Sequence, residues 1–182
     1  METVEAVKDK DQIAGIKSLL KVYGGSDLYS DIWSFGINSA LRISDLLAIK
    51  YADIENSSIT LKEGKTGKTR EITLNNSAID VVTRRHNDNP NDIYLFQVHS
   101  NRASGKPVSR ESVARMFKKV GDKLKIKLGT HSMRKTRGYA MYKAGASIEL
   151  VCKVLNHSST ATTLRYIGIE KEDVQRTYDL EL

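Results

Sequence analysis

The sequence has few of the residues on which several classes of protein depend. Cys152 is the only cysteine among 182 residues, so a disulfide within the chain is excluded and a reducing cytoplasm is the expected setting. No run of about 18 apolar residues exists, and no membrane span is therefore predicted. The first residues are acidic and lack an apolar core, so they do not resemble a signal peptide.

Proline is also scarce, and the apolar residues suit one compact domain. Only two prolines occur, no segment is repeated or of low complexity, and 40% of the residues are hydrophobic. The pattern predicts a flexible N-terminal tail over 1–10, a folded domain over 11–168 and a C-terminal tail helix over 169–182.

The spacing of apolar residues predicts mostly helices. The first helix carries Ile13, Ile16, Leu19 and Leu20 and ends at Gly24-Gly25, and the second carries Leu28, Ile32 and Phe35. Alternating residues at 59–62 and 71–74 flank a polar turn with glycines, which predicts a β-hairpin. The fold class is therefore mainly α with a small antiparallel β-sheet (α+β). Further helices are predicted from Ser44 or Asp45 to Ile49 and at about 77–86, 110–126, 131–144, 147–156, 160–166 and 171–178.

The charge balance indicates a polyanionic partner. The formal net charge is +7 and the isoelectric point about 9.4, although a solvated basic surface would give the same total. Basic residues crowd the stretch 110–127, and more follow at Arg134, Lys135 and Arg137. This clustering favours nucleic acid as the partner.

Several polar residues stand where a reaction could use them. His131 and Arg134 are three apart and would project from one helix face toward a small anion, although the same pattern occurs on ordinary surface helices. Arg42 is a charge in an apolar stretch, and it either serves a site or pairs with Asp45 or Asp53.

The hairpin and the C-terminal part of the chain each add one candidate. Lys65 lies in the predicted hairpin turn, where it could deliver an ammonium or simply keep the turn polar. Tyr166 follows His157 by nine residues. A phenol with a pKa of about 10 needs help to attack at neutral pH, and nearby histidine and arginine could supply it. The alternative is that Tyr166, like most tyrosines, only packs against neighbouring side chains.

Five motifs in this order resemble the catalytic domain of the tyrosine recombinases, the phage integrase family. They are the Arg motif at 40–46, the hairpin Lys65, the H-x-x-R of His131 and Arg134, the Leu-Gly-His-like 155–157, and Tyr166. The resemblance runs from about residue 13 to residue 166. Ser39-Ala40 stands where Thr-Gly is usual, and Asn156 stands where glycine is usual.

The resemblance implies a reaction and a role for each motif. Tyrosine would attack a DNA phosphate and form a 3′-phosphotyrosyl link, and a 5′-hydroxyl would then reverse the step in a new partner strand. The two arginines and the second histidine would hold the phosphate, the first histidine would act as base and the lysine as acid. No metal and no cofactor is expected. The implied catalytic residues are Arg42, Lys65, His131, Arg134, His157 and Tyr166.

The resemblance also implies double-stranded DNA as partner, a tetramer on recombining DNA and a monomer in free solution. No membrane is involved, and the location would be the cytoplasm of a bacterial or phage-infected cell, at the nucleoid. The tail helix could be exchanged with a neighbouring protomer. Whether the chain is an excised catalytic domain or a naturally short member stays open. Candidate contacts to the DNA backbone are Lys68, Arg70, Arg110, Arg115, Lys118, Lys119 and Arg137.

Three other functions fit parts of the pattern. A type IB topoisomerase uses similar residues to relax DNA without exchanging strands. A recombinase-derived regulator would bind DNA without cleaving it. A helical protein-interaction module would not bind DNA in a salt-dependent way.

Overall fold

A computed structural model describes residues 4–64, 67, 69–99, 105–169, 173, 175–179 and 181 of the chain. Helices and short strands alternate in the first two thirds, and helices follow. The helices are α1 (Lys10–Gly24), α2 (Leu28–Ser39), α3 (Ile43–Leu47), α4 (Asn76–Asp88), α5 (Arg110–Leu124), α6 (Thr130–Lys143), α7 (Ile148–Val154) and α8 (Thr160–Ile167). The strands are β1 (Ile54–Glu55), β2 (Ser58–Lys62), β3 (Thr69–Thr73), β4 (Gln97–Val98) and β5 (Lys106–Pro107), with 3₁₀ turns at Tyr51–Asp53 and Arg176–Asp179.

Helix α2 lies at the centre and packs against α1, α4 and α6. It is buried nearly all round, as expected of a core helix with apolar residues on more than one face. Trp33 meets the Phe117 ring of α5 edge to face, with ring centroids 5.8 Å apart. Gly36 allows α6 to come close, because a Cβ there would lie 2.2 Å from the sulfur of Met133. The buried α2 therefore fixes α6 in place.

The predicted hairpin is confirmed as β2 and β3, which pair antiparallel with Ile59 opposite Ile72. Strand β1 adds to the other edge of β2 and gives the order β1-β2-β3. A separate antiparallel pair joins β4 and β5. The sequence did not predict β1, β4 or β5, because two-residue strands are too short for alternation to be visible.

The helices predicted at about 77–86, 110–126, 131–144, 147–156 and 160–166 are confirmed, with small changes at their ends. Ser147 caps α7 as expected, since its side chain accepts from the N–H of Leu150. Helix α7 ends at Val154 rather than at residue 156, because Asn156 adopts a left-handed conformation with φ of 45°. In the predicted 171–178 helix, residues 173 and 175 are helical and a 3₁₀ turn covers Arg176–Asp179.

The N-terminal segment over residues 4–9, which the sequence places in a tail, packs against the helical domain. Val7 is buried, and its N–H donates to the Thr136 hydroxyl of α6 at 2.8 Å. Lys8 donates from Nζ to the carbonyl of Gly168, just after α8, at 2.9 Å. The segment has three apolar residues, Val4, Ala6 and Val7, which are too few to establish a helix or strand period, so the sequence could not predict this packing. No helix in the described ranges is long and apolar enough to cross a membrane.

Gly138 lets α8 pack closely on α6. A Cβ at Gly138 would lie 2.7 Å from Cγ2 of Ile167 and 2.9 Å from Cδ1 of Leu155. Contacts this short require the neighbours to move, so only glycine fits. Ile167 follows Tyr166 directly, and the position of Tyr166 relative to α6 therefore depends on this contact.

Gly138→Ala should lower the free energy of unfolding by about 1–3 kcal/mol through overpacking. Gly15→Ala is the matched control in α1, where a Cβ would meet nothing within 4 Å. It should raise the stability by about 0.5–1 kcal/mol, since alanine is the better helix former. Urea denaturation of both variants measures the difference, and equal effects would contradict the close approach.

Candidate active site

Arg134 is the buried arginine of α6 and joins the ends of two other helices. It is 2% exposed, and its two Nη groups donate to the carbonyls of Ala40 and Leu155. These carbonyls follow α2 and α7, where the last C=O groups have no partner within their own helix. Burial lowers the pKa of Arg134 to about 10, so the guanidinium stays charged at neutral pH. Arg134 is thus both a positive charge and a clamp between three helices.

The loop between α7 and α8 places His157. The Cys152 thiol donates to the carbonyl of His157 at 3.3 Å, and Ser159 caps α8 by accepting from the N–H of Thr162. Nδ1 of His157 lies 3.1 Å from the Thr163 hydroxyl, which itself donates to the carbonyl of Ser159. The Thr163 hydroxyl has one proton for these two contacts, so when it donates to Ser159 the donor of the other bond is Nδ1 of His157.

Tyr166 lies in the last turn of α8 and faces both histidines. Its hydroxyl is 3.2 Å from Nδ1 of His131, and its ring meets His157 edge to face with centroids 4.7 Å apart. The Lys135 ammonium lies 5.1 Å from the centroid of the same ring. Burial raises the pKa of Tyr166, while the charges of Arg134 and Arg42 oppose that rise. The phenol is therefore protonated at neutral pH and requires a base.

His131 is suited to be that base. Partial burial of its ring, followed by the positive charges of Arg110 and Arg134, holds its pKa below the usual histidine value. The imidazole is therefore neutral near pH 7 and can accept a proton. The described contacts bring the phenol and this imidazole together from α8 and α6, 35 residues apart in sequence.

Arg42 precedes α3, and its partner differs from the prediction. Nη1 of Arg42 donates to Oε2 of Glu63 at 2.8 Å, so pairing with Asp45 or Asp53 is wrong. Asp45 instead accepts the N–H of Gly64 at 3.1 Å and thereby fixes the base of the hairpin turn. The Arg42 side chain keeps 16% of its surface exposed, so a ligand can reach it.

Glu63 is a site residue that the sequence reasoning missed. It is 1% exposed and accepts from Arg42, from Nη1 of Arg70 at 3.3 Å and from Nδ2 of Asn156 at 2.6 Å. A signal was present, because Ile59, Leu61 and Glu63 lie on one face at the strand period of two. An acid that continues an apolar strand face is expected to be buried and paired.

Five of the six predicted catalytic residues therefore meet, and the predicted DNA contacts divide into groups. Lys65 and Lys68 lie outside the described residues. Arg70 belongs to the Glu63 network, and Arg110 acts on His131. Three of the residues lie on the exposed face of α5: Arg115 donates a hydrogen bond to the Ser112 hydroxyl, Lys118 forms an ion pair with Asp122 at 3.0 Å, and the Lys119 ammonium lies 4.6 Å from the centroid of the Tyr23 ring. Arg137 is half-buried on α6.

The fold and the chain both match known proteins. The structure of XerH site-specific recombinase has a TM-score of 0.75 with 16% identity, over 96% of this chain and 52% of its own length. Among named relatives, the probable integrase/recombinase YoeC of Bacillus subtilis (strain 168) is 33% identical over 180 residues, which are 98% of this chain and 97% of that protein. Tyrosine recombinase XerA of Pyrococcus furiosus is 33% identical over 153 residues, 79% of this chain and 52% of XerA.

The fold is thus that of tyrosine recombinase catalytic domains. The sequence model of the phage integrase family matches residues 29–173. The chain belongs to this family, which confirms the resemblance drawn from its motifs. It spans nearly all of YoeC but only about half the length of XerA and XerH.

Glu63→Gln should lower the free energy of unfolding by about 3 kcal/mol, because it leaves two arginines without their buried counter-charge. Glu55→Gln is the control, because Glu55 is exposed at the sheet edge. This substitution should change the free energy of unfolding by no more than about 0.5 kcal/mol. Urea denaturation at pH 7 measures both. A Glu63→Gln variant as stable as the control would contradict the network.

His157 should make the protein less stable in mild acid. Burial, followed by the charges of Arg134 and Arg42, lowers the pKa of His157 to about 4, whereas an unfolded histidine titrates near about 6.5. Between these values the unfolded chain binds a proton that the folded chain does not, so the free energy of unfolding falls as the pH falls. His157→Gln should lose less stability than the unmodified protein over this range. Identical curves for His157→Gln and the unmodified protein would contradict the assignment.

Proposed function

We propose that this chain carries out site-specific DNA recombination, with Tyr166 as the nucleophile that forms a 3′-phosphotyrosyl intermediate. The observation that carries the proposal is the 3.2 Å contact between the Tyr166 hydroxyl and Nδ1 of His131, inside a cluster that also holds Arg42, Arg134 and His157. A protonated phenol, a neutral imidazole and permanent positive charges are the parts that attack on a phosphodiester requires.

The proposed step breaks one phosphoester bond and forms another. The Tyr166 oxygen attacks phosphorus and passes its proton to Nδ1 of His131, the bond to the 5′-oxygen breaks, and that oxygen takes a proton from Lys65 and leaves as a hydroxyl. Rejoining is the same step in reverse with a 5′-hydroxyl from another strand. One phosphoester replaces another, so no ATP is consumed.

The charge of the cluster favours an anion. Arg42, Arg134 and Lys135 lie near the tyrosine. Glu63 supplies the counter-charge that the described contacts place against Arg42 and Arg70. The same positive field contributes to the lowered pKa values of both histidines. A phosphate placed against Arg42 and Arg134 would relieve this repulsion, and their charges would stabilise the added negative charge of the transition state.

Nε2 of His157 would become a hydrogen-bond donor only when the phosphate is bound. In the free protein its Nδ1 carries the hydrogen toward Thr163, and the low pKa leaves Nε2 without a proton at pH 7. An anion nearby favours the charged imidazolium and raises the pKa. The protonated Nε2 would then donate to a non-bridging oxygen, so binding of the phosphate and protonation of His157 are coupled.

Duplex DNA is the proposed partner, and the proposed assembly on recombining sites is a tetramer. The XerH structure is described as bound to a palindromic difH substrate in a post-cleavage complex. Arg110 is one of the proposed backbone contacts, and its charge also acts on His131. Binding through such phosphate contacts should weaken steeply as salt is raised.

Covalent trapping on nicked duplexes from the region flanking the gene tests the proposal. The unmodified protein should give a DNA adduct that survives a denaturing gel, because loss of the fragment beyond the nick prevents rejoining. Tyr166→Phe should bind the same duplex and give no adduct.

Tyr178→Phe is the matched control, since Tyr178 is 79% exposed in the tail, and it should trap DNA as well as the unmodified protein. An adduct from Tyr166→Phe would show that another residue attacks. Tight DNA binding without any adduct from the unmodified protein would favour a non-catalytic regulator, and relaxation of plasmids that lack a specific site would favour a topoisomerase.

A further inference from the structure

Asn156 occupies a turn that requires a residue able to adopt left-handed backbone angles. Its φ of 45° lies in the left-handed region, where glycine, asparagine and aspartate are the residues that fit best. It stands between Leu155, whose carbonyl accepts from Arg134, and His157. A glycine would satisfy the backbone at this position, so the turn alone does not explain an asparagine side chain.

The side chain of Asn156 reaches across the site. Its Nδ2 donates at 2.6 Å to Oε2 of Glu63, the same oxygen that accepts from Nη1 of Arg42 at 2.8 Å. Residue 42 lies directly before α3, residue 63 directly after β2, and residue 156 in the α7–α8 loop. One buried carboxylate oxygen therefore connects the loop of His157 to Arg42.

We infer that Asn156 is a positioning residue: through Glu63 it fixes the guanidinium of Arg42 relative to His157, so that both can meet one DNA phosphate. The inference rests on the proposed function, since Arg42 and His157 are two of the three groups assigned to that phosphate. An amide that donates to an ionised carboxylate makes a charge-assisted bond of defined direction. The last side-chain torsion of glutamate has a broad distribution, so the carboxylate can rotate when nothing fixes it. Rotation of the Glu63 carboxylate would move the Arg42 guanidinium that is bonded to it.

Two substitutions separate the side chain from the turn. Asn156→Gly keeps the left-handed backbone and removes the donor. Asn156→Asp keeps the backbone and the shape but turns the donor into a carboxylate, which would repel Glu63. A residue needed only for the turn would tolerate both changes. If Asn156 is a positioning residue, the cleavage rate is highest with asparagine, lower with glycine and lowest with aspartate.

The first readout is the single-turnover rate of adduct formation on nicked duplex, measured with the affinity for the same duplex. We expect cleavage to fall about tenfold for Asn156→Gly and about a hundredfold for Asn156→Asp, with the affinity within about twofold of the unmodified protein. Asn56→Gly and Asn56→Asp are matched controls, because Asn56 is exposed in the β1–β2 turn with φ of 47°. Both should cleave at the unmodified rate.

The second readout is the NMR signal of the Arg42 guanidinium in the DNA-free protein, assigned with Arg42→Lys. It should shift or broaden in both Asn156 variants and stay unchanged in both Asn56 variants. Unchanged signals would overturn the inference, and so would unchanged cleavage rates. If the unmodified protein formed no adduct, the proposed function would fail, and the NMR comparison would still decide whether Asn156 positions Arg42.

Discussion

The site depends on one buried carboxylate that holds positively charged groups together. Arg42 and Arg134 lie near enough for each to lower the pKa of His157, and such charges repel one another unless an anion compensates them. Glu63 supplies this compensation from the end of β2, with Arg42, Arg70 and Asn156 as its donors. The hairpin is therefore part of the site's electrostatic balance.

Helix packing supplies the second constraint, which is the position of the phenol. Arg134 clamps the carbonyls that follow α2 and α7, and Gly138 lets α8 lie directly on α6. Together they place Tyr166 within hydrogen-bond distance of His131. Burial and nearby charge keep that imidazole neutral, so the packing that orders the site also sets the protonation state that the proposed reaction needs.

The sequence predicted the helices and the hairpin because their apolar spacing is long and regular. It also predicted Arg42, His131, Arg134, His157 and Tyr166 as one group, which the fold brings together, whereas their roles in catalysis and that of Lys65 stay predictions. It did not predict the packing of residues 4–9 or the side-chain function of Asn156. These depend on single contacts between segments distant in sequence, such as Val7 with Thr136, which leave no local pattern.

The attachment site of the DNA is the most direct test of the claim that Tyr166 is the nucleophile. Trypsin cleaves after Arg165, Lys171 and Arg176, so Tyr166 and Tyr178 fall in different peptides, 166–171 and 177–182. Mass spectrometry of the trapped adduct, digested with nuclease and trypsin, should find the nucleotide on peptide 166–171. A nucleotide on 177–182, or on any other peptide, would contradict the account.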